Sequence, residues 1–72
     1  MITAKFSDTL TRSQVRALIN EHIFHQLDRR ILCRKILDGA TFEQIAEEVD
    51  RSTNCVKDRY RRAFSHLVQF LP

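Results

Sequence analysis

The sequence predicts an all-α fold, a small four-helix domain that contains a helix-turn-helix and ends in a long helix. Three features carry this expectation. One Gly (Gly39) and one Pro (Pro72) in 72 residues leave almost no helix breakers inside the chain. Apolar side chains recur at steps of three and four, the period of a helix with one buried face. Helix starts are legible from capping chemistry, and no segment reads as a strand. The length allows one domain, which must rely on a compact core because a chain this short buries only about 60% of its unfolded surface. Hydrophobic residues at 43% and charged residues at 29% place it with folded rather than disordered chains.

Residues 1–10 are expected to form a mobile N-terminal extension and 11–72 the domain. Thr11 is the expected N-cap of the first helix, with Gln14 three residues on to complete a capping box and Leu10 and Val15 in the staple positions. That helix should run from about Arg12 to Phe24 and bury Val15, Leu18, Ile19 and Ile23. Asp28 is the expected cap of a second helix, which buries some of Ile31, Leu32, Ile36 and Leu37 and stops at Gly39 in a left-handed turn. Thr41-Phe42-Glu43-Gln44 repeats the capping box and opens a short third helix to about Val49, with Glu43 suited to its positive end. Ser52 caps a fourth helix reaching about Phe70. Its apolar residues Val56, Tyr60, Phe64, Leu67 and Leu71 form one continuous stripe.

A helix-turn-helix holds two helices at a steep angle across a very short turn, and their crossing needs a small residue. Ala46 is that residue, flanked by Ile45 and Val49. Val56, early on the next helix, is its partner, and only two or three turn residues precede Ser52. The segments Asp28-Arg29-Arg30-Ile31-Leu32, Leu37-Asp38-Gly39-Ala40-Thr41-Phe42-Glu43-Gln44-Ile45-Ala46-Glu47-Glu48-Val49, Ser52 and Val56-Lys57-Asp58-Arg59-Tyr60-Arg61-Arg62-Ala63 together resemble region four, the C-terminal part of bacterial sigma factors. The chain is similar above all to the short, stand-alone sigma-like proteins of Gram-positive bacteria and their phages, over about residues 11–71. The resemblance implies a winged-helix-like, promoter-reading module that binds duplex DNA, with docking on RNA polymerase as a further expectation. Two residues depart from the family pattern. Asp50 stands where Gly usually makes a left-handed turn, and Arg51 where an apolar residue helps to cover it.

Charge supports the same direction. The net charge is +3, but residues 1–50 carry seven basic and eight acidic side chains, whereas 51–72 carry five basic and one acidic. A basic excess confined to one segment is the footprint of a surface facing a polyanion, although it also fits a solvated helix face. On the fourth helix, Asn54, Asp58, Arg61 and Ser65 project away from the apolar stripe. Thr53, Asn54, Lys57 and Asp58 are therefore the expected base contacts, since the first turns of a recognition helix reach base edges. Arg51, Arg59, Arg61 and Arg62 are expected at phosphates, with the backbone near Thr41 donating N–H groups to another.

Several of these residues have plainer readings. Asp58 can pair with Arg61 or Arg62 within its own helix instead of accepting from a base. Tyr60 and Phe64 could stack on single strands, but their spacing fits core packing. Arg29, Arg30, Arg34 and Lys35 form either a second phosphate patch or a solvated face. His22, His25 and His66 with Cys33 or Cys55 do not match metal-ligand spacing, so no metal and no cofactor are expected, and both thiols are expected to be reduced. No nucleophile set or phosphate loop argues for an enzyme. No apolar run is long enough for a membrane span and no secretion signal is evident, which makes the cytoplasm the expected compartment. The runner-up to DNA reading is a protein-interaction module using Leu67-Val68-Gln69-Phe70-Leu71. That tail would also allow a weak homodimer in place of a monomer.

Overall fold

The architecture is that of a computed structural model, which describes residues 10–70. Among these residues are four α-helices and no strand: α1 (Arg12–His22), α2 (Gln26–Leu32), α3 (Phe42–Val49) and α4 (Thr53–Leu67). A π-helical turn (Cys33–Leu37) prolongs α2, and a 3-10 turn (Val68–Phe70) follows α4. The molecule is the small all-α, four-helix domain that the sequence predicts. Of the expected mobile extension, residues 1–9 lie outside the described residues, as does Leu71 of the stripe. Leu10 packs on the cluster that contains Val15.

Both capping boxes form. The Gln14 amide donates to Thr11 Oγ1 at 3.2 Å and the Thr11 amide to Gln14 Oε1 at 2.9 Å; Thr41 and Gln44 repeat the exchange at 3.1 and 2.9 Å. Helix α1 ends at His22, two residues before the expected Phe24. Ile23 leaves the helix in an extended conformation so that its side chain can enter the core. Arg29 then takes the carbonyls that the helix end exposes, donating to Asn20 O at 2.7 Å and to Ile23 O.

Helix α2 corrects a second expectation. Its N-cap is His25, whose Nδ1 accepts from the Leu27 amide at 3.2 Å. Asp28 sits in the first turn of the helix, where its carboxylate accepts from Arg59 Nε at 2.8 Å. A strong charge-assisted bond to a residue 31 positions away takes the side chain that a local pattern would assign to capping.

The π turn has a packing consequence. Leu32 and Leu37 are five residues apart and would lie about 140° apart on an α-helix. A turn closed by the Asp38 amide on the Cys33 carbonyl, at 3.3 Å, brings them toward one face, and both enter the same cluster. Gly39 then adopts the expected left-handed conformation (φ 69°), and the Ala40 amide reaches back to the Arg34 carbonyl at 3.0 Å.

Two apolar clusters share α4. The first joins Val15, Ile19 and Ile23 of the α1 region to Leu32, Leu37, Ala63, Phe64 and Leu67. The second joins Ile31, Ala40, Ile45, Ala46 and Val56, with Tyr60 packed against both. The C-terminal half of α4 is therefore anchored in one cluster while Val56 ties its N-terminal half to α3 through the other. Outside the clusters, Arg34 fastens the π turn to α3: Nε and Nη2 reach the two Glu48 oxygens at 2.9 and 2.6 Å, and Nη1 reaches Asp38 at 3.0 Å. These hydrogen bonds hold the carboxyls of Glu48 and Asp38 below their usual range and push the Arg34 guanidinium further up.

Candidate nucleic-acid interface

The segment that carries the predicted site is α3, a three-residue turn and α4. Ala46 and Ile45 are buried, Val49 is half-buried, and Val56 meets them from α4, so the four packing residues come together as expected. The Ala46 carbonyl accepts from both the Asp50 and the Arg51 amides, which closes α3. Asp50 is left-handed (φ 57°, ψ 46°) and is the one non-glycine residue with positive φ among the described residues. Ser52 Oγ then accepts from the Cys55 amide at 3.1 Å and starts α4.

Beyond Ser52 the expected contact residues divide. Asn54, Lys57 and Arg61 are exposed and lie at helical steps of three and four; Asn54 and Arg61 turn away from Val56, Ala63, Phe64 and Leu67, and Lys57 lies on the flank beside Phe42. Arg51, also exposed, flanks them from the turn and donates to the Asp50 carbonyl at 3.3 Å. Among the described residues, none of Arg51, Lys57 and Arg61 has a carboxylate at ion-pair distance. Thr53 is half-buried at the first position of the helix. Asp58 pairs with Arg62 one turn on, at 3.0 Å, in an exposed ion pair that solvent weakens. Arg59 does not join the exposed set. Its guanidinium is bound to Asp28 and links α4 to α2.

At the start of α3, the Thr41 hydroxyl and amide are taken up by the capping box. The amides of Phe42 and Glu43 occupy first-turn positions, where N–H groups find no intrahelical acceptor. The Phe42 ring stands beside them with Lys35 Nζ 4.5 Å and Lys57 Nζ 6.0 Å from its centroid. Phe42 meets Tyr60 edge-on, and Tyr60 lies parallel to Phe64, both at 5.4 Å. A cleft of about 350 Å³ runs along this side, bounded by Phe42, Lys57, Tyr60 and Arg61. Phe64 is buried, in line with its core spacing.

Of the four residues Arg29, Arg30, Arg34 and Lys35, expected as a phosphate patch or a solvated face, only Lys35 stands beside this site. The other three have other partners. Arg29 holds backbone carbonyls, Arg34 holds Glu48 and Asp38, and Arg30 lies 3.9 Å from Glu48. Among the described residues, Asp38 and Glu48 are thus met by arginines of the same half and Asp28 by Arg59, which leaves Lys57 and Arg61 of α4 without a carboxylate. Cys33 and Cys55 are free and half-buried, and burial pushes the Cys33 thiol up. Among the described residues, no three His, Cys, Asp or Glu side chains are grouped so as to hold a metal, and no helix is long and apolar enough to cross a membrane.

Fold and site define a small four-helix domain in which a three-residue turn presents a basic helix face. Compared with protein-family models, curated proteins and solved structures, the chain matches none.

Proposed function

We propose that this chain is a binding module for duplex DNA that acts in transcription, with the first turns of α4 in the major groove. The observation that carries the reading is the exposed, uncompensated face of Asn54, Lys57 and Arg61 directly behind the Asp50–Ser52 turn. Asn54 is the base reader, because its amide can pair bidentately with adenine. Arg51, Arg61, Lys57 and Lys35 supply phosphate contacts, joined by the α3 amides and by Arg62 when it exchanges Asp58 for a phosphate. The resemblance to sigma region four supports a promoter element as the target and RNA polymerase as a further partner, in the cytoplasm of a bacterium or of a cell infected by a phage.

Selection of bound duplexes from a random pool, followed by titration of the selected and a scrambled duplex at several salt concentrations, tests the reading. About five phosphate contacts give a slope of roughly −4 to −5 in log affinity against log salt. The selected site should bind at least about a thousandfold more tightly than the scrambled one. Equal, weak binding to every duplex would leave a generic cation and remove the proposal.

A further inference from the structure

The cleft between the start of α3 and the flank of α4 has walls of one kind and a rim of another. Phe42, Tyr60 and Phe64 line it with aromatic rings, and Lys57 and Arg61 stand exposed along it. Lys35 adds a third cation beside the lining, with Nζ 4.5 Å from the Phe42 centroid. Among the described residues, no carboxylate lines the cleft, and none of these three cations has one at ion-pair distance. Asp58, the one acid of α4, is turned to Arg62 at 3.0 Å. Glu43, next to Phe42, is exposed and is not part of the lining. The cleft is therefore apolar inside and cationic at its edge.

We propose that this cleft binds a small planar aromatic anion, one or two fused rings that carry a carboxylate, and that such a ligand displaces DNA from Lys57 and Arg61. Size, shape and charge each narrow the occupant. A volume of about 350 Å³ is at the low end of small-molecule sites, enough for a bicyclic acid. Flat rings gain from offset or edge-on contact with aromatic walls, beyond what their buried area supplies. The ammonium and guanidinium groups donate charge-assisted hydrogen bonds to a carboxylate, and neither has to give up an acidic partner first. Lys57 and Arg61 are one turn apart on α4, so their long side chains can converge on one anion at the rim. A cationic ligand would meet like charge here, and an uncharged ring would forgo the rim.

The site does not rest on DNA reading; the displacement does, because it uses the phosphate roles given above to Lys57 and Arg61. The test is an NMR titration of the full chain with 2-naphthoate and with neutral 2-naphthamide, at matched ionic strength. Saturable shift changes are expected at Phe42, Lys57, Tyr60 and Arg61, with a dissociation constant of about 0.1–1 mM for naphthoate. The amide should bind at least about threefold more weakly, since the charged contacts at the rim are solvent-exposed. Lys57→Met and Arg61→Met should each narrow that difference while the melting temperature stays at the wild-type value. At ten times its dissociation constant, naphthoate should weaken a selected duplex about tenfold, as simple competition requires. Equal binding of acid and amide, shifts that avoid the cleft, or no saturable binding overturns the site. A selected duplex held equally well with and without naphthoate overturns the displacement. A chain that selects no duplex removes the DNA reading and the displacement with it, while the titration decides the site by itself.

Discussion

Replacing Asp50 with glycine should stabilise the domain by about 1 kcal/mol, and the number can be built from the turn itself. Asp50 is left-handed at φ 57° and ψ 46°. A Cβ in that conformation costs ~1–2 kcal/mol, and the lower end applies to Asp, which tolerates it better than most residues. Its carboxylate also lies against the negative end of α3, an unfavourable placement of ~0.3–1 kcal/mol. Glycine removes both penalties and adds ~0.5–1 kcal/mol of lost chain freedom. The hydrogen bonds of the turn are made by backbone atoms at this position, the Asp50 amide to Ala46 O and the Asp50 carbonyl from Arg51, so they survive the change. For a domain of this size, ~1 kcal/mol raises the melting temperature by about 4–8 °C, which circular dichroism reads directly. Asp50→Asn should gain only the charge part, and Asp50→Ala should rank below both. If glycine brings no gain and alanine equals it, the turn is not left-handed in solution and the assignment fails.

Ile45→Ala should destabilise the fold by ~2–5 kcal/mol in urea unfolding, because the side chain is fully buried where α2, α3 and α4 meet. Glu48 and Asp38 are held below the usual carboxylate range by Arg34, so their contribution is complete above the unfolded values, about pH 4, and is lost as pH falls through the lower folded ones. Arg34→Met should therefore flatten the acid limb of the stability–pH profile; an unchanged limb would show that the pairs do not form. On selected DNA, Asn54→Ala should lose ~1–3 kcal/mol of discrimination at one base pair, whereas Arg61→Ala should weaken all duplexes alike and reduce the salt slope by about 1. Competition binding with single-position operator variants separates the two outcomes.

What the sequence made legible was local. The capping boxes at Thr11 and Thr41, the Ser52 cap, the left-handed Gly39 and the Val56–Leu67 stripe each depend on residues within a turn or two of one another, and each formed. The misses were long-range. Asp28 looks like a cap until Arg59, 31 residues later, is brought beside it, and His25 takes the cap through a ring nitrogen that sequence patterns rarely credit. The π turn was also hidden, because one widened turn is chosen to place Leu37 in the cluster of Leu32 and leaves no local signature. Within the candidate site, the outward residues of α4 were readable from periodicity. Which cations stay uncompensated was not, because that depends on how Arg34 and Arg59 are spent on acidic side chains elsewhere.

Helix α4 runs fifteen residues without Gly or Pro, a stiff rod of about 22 Å. Its opening turns carry Asn54 and Lys57, and its last turn carries Leu67. Val56 and Leu67 seat the two ends of this rod in different apolar clusters, so a loosening of one cluster reaches the other with no bend between them to absorb it.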